Sequence, residues 1–378
     1  MPLIFLAALS LAIWVYLFAF RGRFWRMRPD APIHTLDAHA PSVHAIVPAR
    51  NEAPVVATAM ASLAAQVYPG EFHITLVDDH SGDGTAALAA DAAPGIRILA
   101  ARPLPTGWTG KMWAVSEGVS TASAEYLLLT DADIVHHPQN VAALVARARA
   151  GNYDLVSYMV RLQCGTLAEH ALIPAFVFFF FLLYPPSWIR DPRHRTAGAA
   201  GGCILIRRAA LESIGGIARI RGELIDDCAL AREVKQRGGR IWLGLSDRTV
   251  SIRRYATFGE IGGMISRTAF TQLGHSGWML AGTVAGLAVA YLAPPLLTLF
   301  AARNAPHNAA SGMGALAWLL MSVAYWPAVR YYRVNWFWTP MLPAIALFYM
   351  GATAHSAVTT WRGQGGMWKG RAQSATIQ

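Results

Sequence analysis

Short apolar runs alternate with amphipathic stretches between about residues 42 and 160. Each short apolar run predicts a buried strand, and each amphipathic stretch predicts a helix that packs on the sheet. The predicted strands are residues 43–47, 72–77, 96–100 and 126–130. The predicted helices are residues 54–66, a segment from about residue 85, and residues 111–119 and 138–150. This alternation predicts an α/β domain with helices on the faces of a sheet.

A long apolar segment precedes this domain. Residues 3–20 are about as many as a bilayer-spanning helix needs. Four arginines follow it directly and mark its C-terminal flank as cytoplasmic, namely Arg21, Arg23, Arg26 and Arg28. No small-residue cleavage site follows, so residues 1–28 are predicted to be an uncleaved membrane anchor with a basic flank.

The chain becomes apolar again beyond Ser276, and residues 277–360 are predicted to form transmembrane helices. The candidate spans are residues 278–301, 313–329 and 336–358. Three spans that start in the cytosol would leave the basic tail, residues 361–378, outside. The positive-inside rule therefore predicts either that one candidate is re-entrant or that the tail breaks the rule.

An aromatic, apolar stretch at residues 171–184 interrupts the region between the two membrane parts. It is short for a spanning helix, so residues of about 171–188 are predicted to be an interfacial segment that docks the domain on the bilayer. A buried core helix is the alternative interpretation. The cytosolic domain is predicted to cover residues 42–275.

Composition agrees with a membrane protein. Hydrophobic residues make up 54% of the 378 residues and charged residues only 14%, which is too apolar for a wholly soluble chain. The net charge of +10 is concentrated at membrane flanks and is not interleaved with aromatics, so no nucleic-acid partner is expected. The three cysteines are widely spaced and are predicted to be reduced, without a zinc site.

Candidate catalytic and ligand-binding side chains follow the predicted strands. Two carboxylates one residue apart, Asp131 and Asp133, come directly after an apolar strand and suit an oxygen-ligated divalent cation. Three further groups lie at comparable loops. They are Pro48 with Arg50 and Glu52 after the first strand, Asp79 in the turn-rich stretch 78–85, and Lys111 at the end of the glycine-flanked run 107–111.

These four groups in this order resemble the family 2 glycosyltransferases, which have the GT-A nucleotide-diphospho-sugar fold, over residues 43 to about 270. The resemblance implies a hexosyltransferase in which Asp79 contacts uracil, Asp131 the ribose and Asp133 a divalent Mg²⁺ or Mn²⁺ on the diphosphate. Pro48, Arg50, Glu52 and Lys111 would lie on the side of the nucleotide-sugar donor, which is expected to be a UDP-sugar.

A later acidic pair, Asp226 and Asp227, resembles the motif that supplies the catalytic base in this family. The resemblance assigns the base to Asp227 and a supporting role to Asp226, while helix capping is the alternative for both. Gly201 and Gly202 resemble the acceptor-side loop. The family's Gln-x-x-Arg-Trp motif corresponds to residues 264–268, where only Arg267 is kept, so Arg267 is expected on the diphosphate side and polymer synthesis is not expected.

The order of anchor, transferase, aromatic segment and C-terminal helices is most similar to a bacterial subgroup associated with hopanoid biosynthesis, related to ceramide glucosyltransferases. It implies an inverting, metal-dependent enzyme of the inner membrane, with its catalytic domain in the cytosol and a membrane lipid alcohol as acceptor. The alternatives are a polyprenyl-phosphate sugar synthase, a glucosyltransferase acting on ceramide-like or carotenoid lipids, and an inactive membrane scaffold.

Overall fold

The computed structural model describes residues 2–31, 39–301, 308–365, 367–368 and 371–372. These residues form two compact units. We call the first the sheet unit, which contains the described residues of 29–163, 188–254 and 366–378. The second is the helical unit, which contains those of 2–28, 164–187 and 255–365. This division differs from the expected 42–275 domain, because residues 164–187 and 255–275 belong with the apolar helices.

An eight-stranded mixed sheet forms the centre of the sheet unit. Its strands are β1 at Val43–Ala49, β2 at Phe72–Asp78, β3 at Arg97–Ala100, β4 at Tyr126–Thr130, β5 at Ile134–His136, β6 at Leu155–Arg161, β7 at Cys203–Arg207 and β8 at Ile241–Ser251. Their spatial order is β3-β2-β1-β4-β7-β6-β8-β5. Strands β1 to β4 are mutually parallel, whereas β7 is antiparallel to both β4 and β6.

Helices follow most of the strands of the sheet unit, as the alternating pattern predicts. They are α2 at Ala53–Ala64, α3 at Thr85–Ala92, α4 at Gly110–Ser120, α5 at Asn140–Gly151, α8 at Arg208–Ser213 and α9 at Asp226–Gln236. Every residue of β1 and β4 is buried, because both strands are covered on their two faces. This double burial explains why both strands appear in the sequence as continuous apolar runs.

Strand direction brings several loops to one edge of the sheet. The parallel strands β1, β2 and β4 all end there, and β7 begins there because its first residue, Cys203, pairs with Thr130 at the end of β4. The loops after β1, β2 and β4 and the glycines before β7 therefore share this edge. In open α/β sheets such an edge is where ligands bind.

The helical unit contains long apolar helices. Its elements are α1 at Pro2–Ala19, α6 at Leu167–Leu183, α10 at Phe258–Gln272, α11 at Gly277–Leu287, α12 at Ala293–Ala301, α13 at Asn308–Tyr331 and α14 at Leu342–Trp361, with a π-helical turn at Ala288–Leu292 joining α11 to α12. Helix α7 at Pro186–Arg190 spans the sequence boundary between the units.

Four segments among the described residues are long and apolar enough to cross a membrane: Pro2–Ala19, Leu167–Arg190, Gly277–Leu299 and Ala309–Tyr331. The expected third C-terminal span, residues 336–358, is instead a short 3-10 turn at Trp336–Trp338 followed by α14. Although α14 has 20 residues, it is not one of these four segments.

Strand pairing restricts the path of α6. This helix lies in the chain between β6 and β7, which are hydrogen-bonded neighbours in one sheet. A single crossing of a bilayer between them would place the two strands on opposite sides of the membrane, where they could not pair. The composition of α6 resembles that of a spanning helix. The connection between β6 and β7 must nevertheless begin and end on the same side of a bilayer.

A close approach of α4 to the sheet gives a test of this packing. A Cβ atom on Gly118 would lie 2.5 Å from Ile46 Cγ2 and 2.9 Å from Val77 Cγ2. Because overpacking a buried contact strains the backbone, we expect Gly118→Val to destabilise the protein by about 2 kcal/mol or more. The measurement is thermal unfolding of the detergent-solubilised chain. The control Gly82→Val, where a Cβ has no atom within 4 Å, should change stability little; equal losses would contradict the packing.

Candidate active site at the edge of the sheet

Lys111 joins acids from two distant parts of the chain. It lies in the first turn of α4, which Thr109 caps by accepting a hydrogen bond from the Met112 N–H. Its Nζ lies 3.1 Å from Asp131 Oδ1 and 3.2 Å from Asp226 Oδ2. A cation in the first turn of a helix is opposed by the helix dipole, so these acids have to hold the charge in place.

Electrostatics of the cluster favour a charged lysine. Burial alone lowers the pKa of Lys111, but the nearby carboxylates of Asp131, Asp226 and Asp227 outweigh it and hold this pKa well above its ordinary value. The lysine therefore remains a permanent positive charge at the end of β4. The same charge stabilises the ionised form of Asp227.

Asp227 is held by backbone donors in the same cluster. Its Oδ2 accepts a hydrogen bond of 2.8 Å from the Gly201 N–H, and its Oδ1 accepts one of 2.7 Å from the Cys228 N–H. Burial, followed by the charge of Asp226, raises the pKa of Asp227 to about 6. A carboxylate with a pKa near neutrality and a fixed position is suited to accept a proton.

The two glycines before β7 leave little room for a side chain, and the contact is closest at Gly202. A Cβ on Gly201 would lie 3.3 Å from Asp227 Oδ2, and one on Gly202 would lie 2.7 Å from Val160 Cγ2. Pro48 lines a pocket at this edge together with Lys111, Asp131 and Asp227. The cluster therefore faces a cavity, and its acids are not closed within the core.

A second ion-pair group lies at the same edge, and sequence reasoning missed its central residue. Arg253 Nε donates to Asp133 Oδ2 at 3.0 Å, and Arg253 Nη2 donates to both carboxylate oxygens of Glu52 at 2.8 and 2.7 Å. Burial, followed by the charge of Asp131, raises the pKa of Asp133. The only signal in the sequence for Arg253 is a pair of arginines directly after an apolar strand.

A chain of side-chain hydrogen bonds supports the end of β4, and it too was missed. Asn140 Nδ2 lies 3.0 Å from His136 Nδ1, and His136 Nε2 lies 2.9 Å from Thr130 Oγ1. The Thr130 hydroxyl donates to the Gly202 carbonyl at 2.8 Å. This direction assigns a neutral His136 with its proton on Nε2, in agreement with burial lowering the pKa of His136 to about 3. These bonds fix Gly202 beside β4.

The loops after β1 and β2 bind each other. Arg50 Nη1 donates to the Asp79 carbonyl oxygen and lies 3.7 Å from Asp79 Oδ2, while His80 Nδ1 lies 3.2 Å from Asp79 Oδ1. The Asp79 side chain is only 1% exposed. The predicted base contact of Asp79 therefore stays a prediction, because its carboxylate has little open surface in this state.

Arg267, the remaining predicted site residue, lies on α10 in the helical unit, and its side chain is exposed. Seven of the others come together in the sheet unit in two groups, apart from the pair formed by Arg50 and Asp79. The first group is Lys111, Asp131, Gly201, Asp226 and Asp227; the second is Glu52 and Asp133 with Arg253.

The donor set at this edge fits a hard divalent cation that shares its ligands with a substrate. Among the described residues no group of three or more His, Cys, Asp or Glu side chains could hold a metal by itself. Asp131 and Asp133 nevertheless offer two neighbouring carboxylates. Magnesium-type ions are commonly held by one or two carboxylates, with phosphate oxygens and water completing the shell.

Comparisons with known proteins agree with this geometry. Residues 44–215 match the model of the family described as Glycosyl transferase family 2. The chain is also similar to the solved structure of the mannosyltransferase PcManGT from Pyrobaculum calidifontis in complex with GDP-Man and Mn²⁺. That similarity has a TM-score of 0.54 at 19% identity and covers 94% of this chain and 99% of that chain. The predicted GT-A fold, with apolar helices toward both ends as candidate membrane spans, is confirmed.

A curated relative is similar over a shorter region. The undecaprenyl-phosphate 4-deoxy-4-formamido-L-arabinose transferase of Enterobacter sp. (strain 638) is 36% identical over 88 residues. The matched region is 23% of this chain and 26% of the relative, so the chain matches about a quarter of that protein's length.

The charge on Lys111 should matter for stability in a pH-dependent way. Lys111→Met leaves Asp131, Asp226 and Asp227 to repel one another and removes the charge that lowers the pKa of Asp227, so this pKa rises further above its ordinary value. The resulting loss of stability is complete at high pH, where Asp227 is ionised, and shrinks as Asp227 becomes protonated. We expect the unfolding midpoint to fall by roughly 5 °C or more at pH 7.5 and by much less at pH 5.

The control for this measurement is Arg208→Met, which removes an exposed pair with Glu212 and should have little effect at either pH. An equal loss at both pH values for Lys111→Met would contradict the electrostatic role.

Proposed function

We propose that the protein is a family 2 glycosyltransferase that moves a sugar from a nucleoside-diphosphate sugar to a membrane lipid alcohol, with inversion at the sugar carbon. One observation carries this proposal. Lys111 connects Asp131, at the end of β4, to the acidic pair Asp226 and Asp227 at the start of α9. This arrangement brings a donor-side acid and a potential base to the same pocket.

Charge balance at the edge supports a divalent cation as cofactor. Five carboxylates, of Glu52, Asp131, Asp133, Asp226 and Asp227, are linked with only two cationic side chains, Lys111 and Arg253. A donor diphosphate brings further negative charge to this acidic edge. Mg²⁺ or Mn²⁺ held by Asp133, with Asp131 beside it, would neutralise the diphosphate as it leaves.

Asp227 is proposed to act as the general base. Two backbone N–H groups fix both of its oxygens, and its pKa of about 6 keeps it ionised at neutral pH. It would take the proton from the acceptor hydroxyl as that oxygen attacks the anomeric carbon and the bond to the diphosphate breaks. A direct displacement of this kind needs no protein nucleophile. Lys111 would stabilise the charged cluster before the proton moves.

The binding roles of the remaining residues follow from their positions. Arg50 and Asp79 lie where β1 and β2 end and are proposed to hold the nucleoside, with Pro48 lining the pocket. A UDP-sugar stays the expected donor. Gly201 and Gly202 are proposed to let the acceptor approach the backbone closely.

We propose that the protein lies in a bacterial inner membrane with its sheet unit in the cytosol, and the positions of its basic residues support this orientation. The arginines after α1 favour the cytosol, and Arg330 and Arg333 lie at the end of α13. If α1, Gly277–Leu299 and Ala309–Tyr331 cross the bilayer, these basic groups are all on the same side. With α14 not crossing, Arg362 is on that side too, which removes the conflict that three C-terminal spans would create. A lipid acceptor would then be within reach at the cytosolic surface.

The acceptor is proposed to be a hopanoid or related lipid alcohol, from the order of membrane segments. The curated relative is named for undecaprenyl phosphate, and this favours a polyprenyl phosphate as the second candidate. A phosphate acceptor is already ionised and needs no base, so the two candidates differ in whether Asp227 controls the rate.

Asp227→Asn tests the proposed chemistry. The amide keeps the size of the side chain but cannot accept the proton, so we expect sugar transfer to fall by about 10²-fold or more with donor affinity nearly unchanged. Transfer is measured as labelled sugar passing from UDP-glucose or GDP-mannose into the lipid-extractable fraction, and donor affinity by calorimetry. The control Glu223→Gln changes an exposed acid just before α9 and should retain activity. Full transfer by Asp227→Asn would move the base elsewhere and favour a phosphate acceptor.

A further inference from the structure

Arg253, near the end of the sheet unit's sequence, binds two acids from distant earlier parts of it. Glu52 and Arg253 are 201 residues apart, yet one guanidinium nitrogen donates to both Glu52 oxygens. Another nitrogen of the same group donates to Asp133. The Glu52 and Asp133 side chains are only 9% and 13% exposed, whereas that of Arg253 is 33% exposed. The two acids are thus largely buried around a cation that still reaches solvent.

The backbone fixes this contact. Strands β5 and β8 are antiparallel with Ile134 opposite Ser251, and the Ile252 N–H donates to the Asp133 carbonyl at 2.9 Å. The register therefore places the residues after β8 directly beside Asp133. The Ser251 hydroxyl adds a second hydrogen bond to Asp133 Oδ2 at 3.0 Å. Asp133 Oδ2 therefore accepts two hydrogen bonds from the end of this strand.

These contacts compete with the metal role of Asp133. A divalent cation needs the lone pairs of a carboxylate oxygen, and both donors at Oδ2 use them. A guanidinium also repels a metal ion at the same carboxylate. Asp133 and Glu52 bind different nitrogens of Arg253. A metal ion can therefore replace Arg253 at Asp133 while Arg253 stays bound to Glu52.

We propose that Arg253 is a positioning residue that binds the Asp133 carboxylate when no nucleoside diphosphate is bound. When the donor binds, the divalent cation that accompanies it replaces Arg253 at this carboxylate. This inference rests on the proposed function, which assigns the cation to Asp133. Its consequence is that the cation binds weakly alone and more tightly with the donor, because the diphosphate supplies the further ligands that offset the loss of the Arg253 contact.

The test is the affinity of the full-length, detergent-solubilised protein for Mn²⁺ alone, measured by electron paramagnetic resonance of the free ion. Arg253→Met removes the competing cation from Asp133, so we expect Mn²⁺ to bind about tenfold more tightly than to the wild type. Asp133→Asn in the Arg253→Met background should abolish this gain, which locates the ion at Asp133. The control Arg254→Met changes the exposed neighbouring arginine and should leave Mn²⁺ affinity unchanged.

A variant that leaves two buried acids without their shared cation could fail to fold. The double variant Arg253→Met with Glu52→Gln removes one of those charges and should show the same gain in Mn²⁺ affinity. Unchanged or weaker Mn²⁺ binding by the folded variants would overturn the proposal. If the wild-type protein transfers sugar but Arg253→Met binds Mn²⁺ no more tightly than the wild type, the Arg253 inference alone fails. If Mn²⁺ affinity rises in the Arg253→Met variant but no donor supports transfer, the proposed function fails, and with it the link to the donor, while the competition between Arg253 and a cation at Asp133 stands.

Discussion

The charge of Lys111 is the interaction on which the candidate site depends. This partly buried cation lies between Asp131 and Asp226, with Asp227 close by, and without it three carboxylates would face one another in one pocket. Its position in the first turn of α4 is unfavourable for the helix dipole and is stabilised by those acids. The same charge lets the edge of the sheet carry an excess of acids, and that excess is what supports a divalent cation in the proposed reaction.

Sequence patterns predicted the parts of the fold that depend on local composition. The runs that became β1 and β4 are buried along their whole length, and β2 is buried only near its end. The acids after these strands were found because a strand end is a distinctive position. Pairings between distant segments were not predictable. Arg253 meets Asp133 across 120 residues because β8 and β5 pair in one register, which no local pattern records. The contact between His136 and Thr130 was not predictable either, because only the fold identifies Thr130 as its partner.

Sheet topology also limits what hydropathy can establish about membrane segments. The helix α6 has the composition of a spanning helix, but it connects two strands that pair with each other. Composition measures how well a segment tolerates lipid, whereas strand pairing fixes which side its ends occupy. The interfacial role expected for residues of about 171–188 stays a prediction, and the region forms a longer helix than expected.

The most direct measurement of the central claim is the position of Mn²⁺ in crystals or cryo-EM samples of the full chain prepared with a nucleotide-sugar. The account predicts that Mn²⁺ lies at Asp133 and contacts the donor diphosphate, with the anomeric carbon of the sugar facing the pocket that holds Asp227. Donor and metal bound away from the edge formed by β1, β4 and β7 would contradict it.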